Sequence, residues 1–502
     1  MNMHTCSSAA FFQLRRLFLF VHVPRPVVTD LTTELCLYTS QQSAWLYVAR
    51  ANEEELAAED LLVPPPNPSS GHSWESRLGG IWVLRSKFSG MIDQAVTEVD
   101  VLFGMDAPKV PVARLSVLHG RAKPRPNARA ALRVREDSKF KIVQISNTHI
   151  VTGVGVCKDT IDVHRKYLPE SEADPLTVNF IGRILDVEKP DLVILTGDQL
   201  HHDILDSKST LFKVAAPIIE RSIPFAAVFG NHDSEGIRAL SHSYAFSNKL
   251  GTAQMSILQN LPFSLCESGP EHVDGIGNFY LQVLAPALSQ LPFSTLYFLD
   301  WHGQKPSKIH NPDYVPIKQS QIDWFTETSQ AQRSAREKVD NGNRFHLSLA
   351  FLHIPLPELG DRHLSIRNGH RREPTESPSF NSHFYDALVK EGISALGCGH
   401  DHVNDFCALL PQQTQQDGDK TPQPSLWLCY GGGSGFGEYC SYDGMRFHRR
   451  ARVWELDTST GSLKTWKRVE YAMDRVDELV LVESGAVVNP REDDEDRSYV
   501  GS

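Results

Sequence analysis

Five short polar clusters contain side chains that could bind metal ions, and each cluster directly follows an apolar run. They supply imidazole, carboxylate and carboxamide groups but no thiolate, a donor set that suits zinc, iron or manganese ions. The clusters are Asn147-Thr148-His149, GDQLHHD with Asp198, GNHD with Asn231 and His232, LHIPLPE with His353, and GHDH with His400 and His402. A single His after a strand is more often a surface or core residue, so the combination of clusters is what indicates one metal centre.

Asp198 is the residue of these clusters that could join two ions, because a carboxylate has one oxygen for each. Two ions about 3.5–4 Å apart can hold the attacking and leaving oxygens of a phosphoryl displacement and can acidify a bound water. This chemistry predicts the hydrolysis of phosphoric esters.

The elements that must position these clusters are alternating strands and helices, which begin at Phe140. The segments FKIVQIS, DLVILTGD and PFAAVFGNHD are predicted strands. DPLTVNFIGRILDVEKP is a predicted helix with Asp174 as N-cap and Pro175 at the first helical position. Strand–helix–strand order favours a parallel sheet in an α/β fold. Loops at the carboxyl ends of parallel strands converge on one crevice, so the five clusters can meet there.

Four regions are predicted along the chain. Residues 1–73 form a low-order segment that ends in the linker VPPPNPSSGHS, and residues 74–135 form a small β-rich region. Residues 136–475 hold the five clusters and are predicted to be the catalytic domain. Residues 476–502 are predicted to be an acidic, disordered tail.

Composition excludes some partners and favours one compartment. The net charge of −11 and the lack of a long basic run argue against nucleic acid. Eight scattered cysteines without a CxxC pair favour a reducing compartment, so we expect a cytoplasmic protein, although Cys429 and Cys440 could pair if the chain were exported. The apolar run near the N-terminus is interrupted by Arg15 and Arg16 and is too short to span a bilayer, but it leaves secretion or membrane anchoring open.

The motif set resembles that of the calcineurin-like metallophosphoesterases. Within them it is most similar to the fungal purple-acid-phosphatase-like branch, which includes a yeast cell-cycle phosphatase related to plant class 29 enzymes. The stretches that carry the resemblance are LTGDQL, VFGNHDSEG, IPLPE and GCGHDHVNDF, together with FKIVQIS and the following THIVTGVGVC. This resemblance implies a four-layer αββα sandwich in which two mixed sheets pack between helices.

The resemblance also implies two metal sites that share Asp198. The first site would be built from Asn147, His149, Asp198 and His402. The second site would be built from Asp198, Asn231, His353 and His400. His232 would be the catalytic acid, and the neighbouring Asp233 could orient its imidazole.

Two positions depart from the family pattern. Asn147 stands where the family has Asp, so the first site lacks one negative charge and is expected to bind its ion weakly. His201 stands where the coloured purple acid phosphatases have a Tyr that binds ferric iron. His201 could be a plain loop residue, or it could be an extra ligand that partly compensates for Asn147.

The resulting functional prediction is a metal-dependent phosphatase with two ions, iron, zinc or manganese. It would hydrolyse phosphomonoesters, with phosphoproteins as natural substrates, by attack of a metal-bound hydroxide. One alternative is a phosphodiesterase or nucleotide hydrolase of the same superfamily. Another is a metal-impaired pseudophosphatase that acts as a binding protein, with Asn147 as the impairing residue.

Two further segments have simpler interpretations. YGGGSGFGEY lacks the spacing of a phosphate-binding P-loop and is predicted to be a flexible loop near the mouth of the site. RNGHRREP is a basic loop. Its residues Arg367, Arg371 and Arg372 either carry solvated charge or contact a phosphorylated substrate.

Overall fold

The computed structural model describes residues 131–488, except for 152–153, 169–170, 203, 205–206, 234–250, 253, 260, 287–290, 302, 306–312, 339–344 and 411–425. Before residue 120 it describes the backbone of seven strands. The linker VPPPNPSSGHS and the apolar run near the N-terminus lie outside the described residues. No helix of the described part is long and apolar enough to cross a membrane.

The regular elements are numbered in chain order. The helices with defined bounds are α1 (Ala173–Glu188), α2 (Ser207–Ile219), α3 (Gln319–Glu337) and α4 (Phe384–Lys390), with a 3-10 turn at Pro357–Gly360. The first strands are β1 (Asp30–Leu37), β2 (Ala44–Trp45), β3 (Trp74–Ser76), β4 (Ile81–Lys87), β5 (Val96–Val99), β6 (Leu102–Phe103) and β7 (Val117–His119). They are followed by β8 (Lys139–Ile145), β9 (Leu192–Thr196), β10 (Phe225–Val228), β11 (Phe279–Leu284), β12 (Pro292–Phe298), β13 (Leu347–Phe351), β14 (Ser365–Asn368), β15 (Ala395–Cys398) and β16 (Cys407–Leu409). The last are β17 (Trp427–Tyr430), β18 (Ser441–Tyr442), β19 (Met445–Arg446), β20 (Arg450–Asp457), β21 (Ser462–Val469), β22 (Val476–Glu483) and β23 (Ala486–Val487).

Contacts within the chain define two compact units. The first unit comprises Met1–Arg129, Val151–Gly155 and Ile204–Ser222, and the second comprises Ala130–Ile150, Val156–Asp203 and Ile223–Ser502. In the first unit, β1, β4 and β3 form an antiparallel sheet, and β2 pairs with β6 and β5 with β7. Strands β3 to β7 lie in the region for which the sequence predicts short strands.

The second unit contains two seven-stranded mixed sheets. One has the order β10-β9-β8-β20-β21-β22-β23, in which β8, β9 and β10 run parallel and β20 joins β8 antiparallel. The other has the order β11-β12-β13-β15-β17-β16-β14, in which β12, β13, β15 and β17 run parallel. Every residue of β9, β10, β13 and β15 is buried, as expected for parallel strands covered on both faces.

The core lies between the two sheets, and helices cover their outer faces. The ring of Phe351 in β13 meets Trp454 of β20 edge to face at 6.0 Å, and the Trp454 indole N–H donates to Gln144 Oε1 of β8 at 3.1 Å. On one outer face, Phe325 of α3 contacts Tyr297 of β12 with ring centroids 5.1 Å apart. On the other, Glu188 at the end of α1 accepts hydrogen bonds from Lys141 of β8 and Trp466 of β21. This arrangement confirms the predicted four-layer α/β sandwich.

The start of α1 differs by two residues from the prediction. The N-cap is Glu172, so Asp174 lies in the first helical turn instead of capping it. A carboxylate in the first turn still interacts favourably with the positive end of the helix dipole, and Pro175 is tolerated there because first-turn N–H groups have no partner within the helix.

The sequence prediction places the start of the disordered tail too early in the chain. Residues 476–487 form β22 and β23, and β22 pairs antiparallel with β21. Leu481 and Val482 are buried in the core. The acidic residues around them led to the prediction of disorder, although these two apolar side chains hold the segment in the sheet. Residues 489–502 lie outside the described residues.

The cysteine prediction also needs correction. Cys407 of β16 and Cys429 of β17 are register partners and form a disulfide, while Cys440 is a free, buried thiol. No sequence pattern predicts this pair, because strand β16 is only three residues long.

Candidate metal centre

The polar clusters meet at the carboxyl ends of parallel strands from both sheets. The loops after β8, β9 and β10 carry Asn147 and His149, then Asp198, then Asn231. The loops after β13 and β15 carry His353, then His400 and His402. These seven side chains are all buried, so the convergence predicted from the strand order is present.

Four of these residues have left-handed backbone conformations, with φ of 54° at Asn147, 44° at His149, 51° at Asp198 and 71° at His400. Non-glycine residues adopt this region rarely and at a cost of about 1–3 kcal/mol each, and such strain concentrates at functional sites. A backbone hydrogen bond from His149 N–H to Asp198 O, 3.0 Å long, connects two of these residues and helps to hold their conformation.

Asp198 lies at the centre of the cluster. Its Oδ2 is 3.1 Å from His353 Nε2 and 3.8 Å from His149 Nε2. Together with His402 and His400, these residues form two groups whose ligand atoms lie within 4.8 Å of one another. The groups are His149, Asp198 and His402, and Asp198, His353 and His400. Asp198 therefore belongs to both, as a bridging ligand must.

Hydrogen bonds orient two of the imidazoles toward this centre. His353 Nδ1 lies 2.8 Å from Thr196 O, and His402 Nδ1 lies 2.9 Å from Tyr439 O. A ring N–H that donates to a carbonyl turns Nε2 toward the centre, where the deprotonated ring offers its lone pair to a metal. Asn231 Oδ1, 3.2 Å from His353 Nε2, adds an amide oxygen beside the second group.

The donor set fits two divalent ions. Within the described part of the chain, His149 Nδ1 and both ring nitrogens of His400 are buried without a hydrogen-bond partner, although such groups normally find one. Burial, reinforced by the neighbouring imidazoles, lowers the pKa of His149 and of His400 well below the usual value, and burial lowers the pKa of His402 to about 4. These rings are therefore neutral near pH 7, the form that binds metals.

The carboxylate of Asp198 keeps its charge. Burial favours the protonated acid, but the imidazoles of His353 and His232 outweigh it and hold the pKa of Asp198 well below its usual range. Its other oxygen, Oδ1, accepts the backbone N–H of His232 at 2.9 Å.

The amide of Asn147 connects two loops beside the first group. Its Oδ1 accepts the His400 backbone N–H at 3.2 Å, and its Nδ2 donates to Gly432 O at 3.4 Å. The oxygen keeps a second lone pair, and the assignment of Asn147 as a ligand of the first ion stays a prediction.

His232 and Asp233 have different environments. His232 is half-buried, with its ring 5.4 Å from that of His149. The Asp233 carboxylate accepts three backbone N–H groups, from Gly230 at 2.6 Å, Leu200 at 2.9 Å and Asp198 at 3.0 Å. Asp233 thus ties the Asp198 loop to the Asn231 loop, and its orientation of the His232 imidazole stays a prediction.

The glycine-rich segment is not a flexible loop at the mouth of the site. Residues 431–437 are buried, and the Gly435 N–H donates to Asn147 O at 3.0 Å. A Cβ at Gly435 would lie 2.0 Å from Thr148 O. The glycines allow this segment to pass directly against the backbone of the first-group loop, which side chains would prevent.

The residue that sequence reasoning missed is Glu438, at the end of this segment. His201 Nε2 lies 2.9 Å from Glu438 Oε1, and Lys158 Nζ contacts the same oxygen at 2.5 Å. His201 therefore forms a group with Glu438 that is separate from the two groups around Asp198. No motif or spacing relates Glu438 to the GDQLHHD segment, so only the fold could bring them together.

The basic loop is tied into the fold. Arg371 donates to Leu359 O at 2.8 Å, and Arg372 pairs with Asp405 at 2.7 Å. Arg372 is therefore held within the fold, whereas Arg371 is exposed and carries solvated charge, and the phosphate contact stays a prediction.

Comparisons with known proteins agree with the motifs. Residues 140–404 match the family model for calcineurin-like phosphoesterases. The "Phosphatase DCR2" of Saccharomyces cerevisiae is 34% identical over 407 residues, which cover 74% of this chain and 64% of that protein, slightly less than two thirds of its length. The "Probable inactive purple acid phosphatase 29" of Arabidopsis thaliana is 33% identical over 363 residues, which cover 68% of this chain and 85% of that protein.

Among solved structures, a dimetal phosphatase from Danio rerio aligns with a TM-score of 0.39 and 12% identity over 68% of this chain and 98% of that chain. The family model spans more than half of the chain, and the Arabidopsis relative is matched over most of its length. The chain therefore belongs to the calcineurin-like phosphoesterase family, as the motifs predicted.

Proposed function

We propose that this protein is a metal-dependent phosphatase that hydrolyses phosphomonoesters, with phosphoproteins as natural substrates. The observation that carries the proposal is the pair of buried donor groups that share the ionised Asp198. Family membership supports the hydrolysis of phosphoric esters. The name of the yeast relative, a phosphatase, supports a monoester as the substrate. Because the chain matches only part of that relative, the substrate class is our inference.

The residues that would hold the ions follow from the two groups. His149, Asp198 and His402 would hold one ion, and Asp198, His353 and His400 would hold the other, with Asn231 beside it. The chemistry that two such ions supply when bound is acidification of a water and neutralisation of charge on the phosphoryl oxygens.

The chain's own residues prepare the site for this reaction. Asp198 supplies the negative charge common to both groups, and its Oδ1 fixes the backbone of His232. From its half-buried position, the His232 imidazole is the residue we assign to donating a proton to the departing alkoxide. Asp233 is a positioning residue, because its carboxylate holds the backbone of the loops that carry Asp198 and Asn231.

A second candidate is a pseudophosphatase that binds phosphorylated partners without turning them over. It is favoured by one observation, the Asn147 amide that is engaged by His400 N–H and Gly432 O and brings no charge to the first group. A phosphodiesterase or nucleotide hydrolase would use the same centre, so substrate comparison must separate it from the monoesterase.

Metal content measured beside hydrolysis tests the proposal. The purified chain, loaded with Zn²⁺ or Mn²⁺, should hydrolyse an aryl phosphate monoester faster than the matching diester, and the chelated protein should do neither. Metal binding without turnover of either ester would favour the pseudophosphatase. Faster turnover of the diester would favour the phosphodiesterase.

A further inference from the structure

A third group of metal-binding side chains lies beside the two groups around Asp198 and shares no donor with them. It consists of His201, His202 and Glu438, whose ligand atoms lie within 4.8 Å of one another. His201 Nε2 is 2.9 Å and His202 Nδ1 is 3.9 Å from Glu438 Oε1. We propose that this group is an accessory Zn²⁺ site, distinct from the dinuclear centre.

The separations suit a tetrahedral ion. Nitrogen and oxygen ligands about 2.0–2.2 Å from Zn²⁺ are separated from each other by roughly 3.3–3.6 Å. The two distances to Glu438 Oε1 bracket this range, so small rotations of the side chains complete the site. His201 turns its Nε2 and His202 turns its Nδ1 toward the Glu438 carboxylate, so these two consecutive imidazoles can bind the same ion.

The donor chemistry favours Zn²⁺ over calcium and magnesium. Two imidazoles and one carboxylate, with a fourth position left for water, form a ligand set that zinc enzymes use. Calcium and magnesium favour sites built from oxygen ligands, so the two imidazoles disfavour them.

Backbone contacts fix both sides of the group. His201 N–H donates to Ile150 O at 3.0 Å, and the preceding Leu200 N–H donates to Asp233 at 2.9 Å. On the other side, Phe436 O accepts the Lys158 N–H at 2.9 Å, which holds the glycine-rich segment that leads to Glu438. The ligand-bearing segments are therefore held in place before an ion arrives.

The group is accessible from solvent. The His202 side chain is 47% exposed, whereas those of His201 and Glu438 are 14% and 15% exposed. The ring centroid of His202 is 5.5 Å from that of His232. An ion bound to this group would therefore add positive charge beside the residue that we assign as proton donor.

Lys158 competes for the same oxygen. Its Nζ contacts Glu438 Oε1 at 2.5 Å, and its side chain is 47% exposed. An entering ion must displace this ammonium, which can swing into water on its flexible stem. Lys158 therefore weakens the accessory site, and a neutral side chain at this position should strengthen it.

The test counts Zn²⁺ in the full-length chain after equilibrium dialysis at a buffered free Zn²⁺ concentration. Wild type should hold three equivalents, and His202→Asn should hold two. His383→Asn is the matched control, because His383 is an exposed His that pairs with a single carboxylate, Asp386. It should keep three. Equal Zn²⁺ content in wild type and His202→Asn would overturn the accessory site while leaving the dinuclear centre standing.

Lys158→Gln provides the complementary measurement. Release of an exposed ion pair should tighten the third Zn²⁺ by roughly two- to fivefold, and the other two should be unaffected. A group that serves only as an ion-pair network would gain nothing from the loss of Lys158. Unchanged or weaker binding of the third equivalent would therefore overturn the proposal. If wild type and all of these variants bound fewer than two equivalents of Zn²⁺, the result would also contradict the dinuclear centre.

Discussion

His149 and His402 bring their Nε2 atoms to 3.1 Å of each other in the protein interior. Burial lowers the pKa of both rings, and Nδ1 of His402 lies against Tyr439 O, so the Nε2 lone pair of His402 faces the Nε2 of His149. Either the Nε2–H of a neutral His149 donates to this lone pair, or a cation binds both nitrogens. The geometry explains why the first group suits a metal even though Asn147 supplies no charge there.

Replacement of His353 by Asn should remove the second ion and most of the activity. His353 approaches Asp198 at 3.1 Å and belongs to the second donor group only. Since a catalytic metal contributes several kcal/mol to transition-state stabilisation, turnover of an aryl phosphate should fall by about 100-fold or more. Metal analysis beside kinetics checks this, and His383→Asn is the control. A variant with wild-type metal content and turnover would show that the second site is wrongly assigned.

His232→Asn should affect substrates unequally. A proton donor matters most for a basic leaving group, and general acid catalysis typically contributes about 10²–10⁴-fold. We expect a large loss of kcat with alkyl phosphates and a small one with activated aryl phosphates. Parallel assays on the two ester classes measure the difference, and equal losses would argue against the acid role.

Asn147→Asp should have opposite effects on the metal-free and metal-loaded protein. The variant loses the Nδ2 donor to Gly432 O, which should lower the unfolding free energy of the apo protein by about 1–3 kcal/mol. A carboxylate beside the first ion should improve binding by an amount on the order of 1–4 kcal/mol. Chemical denaturation of apo protein and titration with Mn²⁺ or Zn²⁺ measure the two effects. Unchanged affinity would show that residue 147 does not contact the first ion.

Asp405→Asn should destabilise the fold strongly without touching the metal groups. Asp405 is buried among Arg372, Arg450 and Lys467, with Lys467 Nζ at 3.0 Å. Removal of its charge leaves Arg372 and Arg450 without this carboxylate partner, while Lys467 keeps its ion pair with Asp477, and the change should cost about 3–5 kcal/mol. Urea denaturation at pH 7 measures the loss, and a loss below 1 kcal/mol would contradict this account.

The same carboxylate should also determine behaviour in acid. Burial opposes ionisation, but Lys467, Arg450 and Arg372 hold the pKa of Asp405 well below its usual range. A group with a depressed folded-state pKa contributes its full stability above the unfolded-state value, about 3.9, and loses it as the pH falls below. The stability difference between wild type and Asp405→Asn should therefore shrink only below about pH 4.

His346 should make stability depend on pH in a higher range. Burial, helped by Arg336, lowers the pKa of His346 to about 4, and its ring lies between Pro292 O and the Thr295 hydroxyl. A lowered imidazole pKa favours the neutral folded state, so stability is complete above about pH 6.5 and is lost as the pH falls toward 4. The loss should reach up to about 3 kcal/mol, from 1.36 kcal/mol per pKa unit. His346→Asn should lack this part of the pH dependence, as unfolding free energies at pH 7 and 5 would reveal.

The sequence by itself determined the family, the sandwich of two mixed sheets and the residues around Asp198. These are local signals: apolar runs identify β8, β9, β13 and β15, and each metal motif begins where its strand ends. Parallel strands bring their carboxyl ends together, so adjacency in space followed from the order of elements alone.

Only the tertiary structure decided how residues without a local pattern are used. Cys407 meets Cys429 because β16 and β17 are neighbours in one sheet. Glu438 meets His201, and Gly435 lies against Thr148 O, because loops that follow strands of the two different sheets come together. The same holds for Asp233, whose carboxylate binds backbone N–H groups of two loops that the sequence does not connect. A pattern of residue types shows which face of an element is buried. It does not show which atoms of another element lie opposite that face, and the contacts named above depend on those atoms.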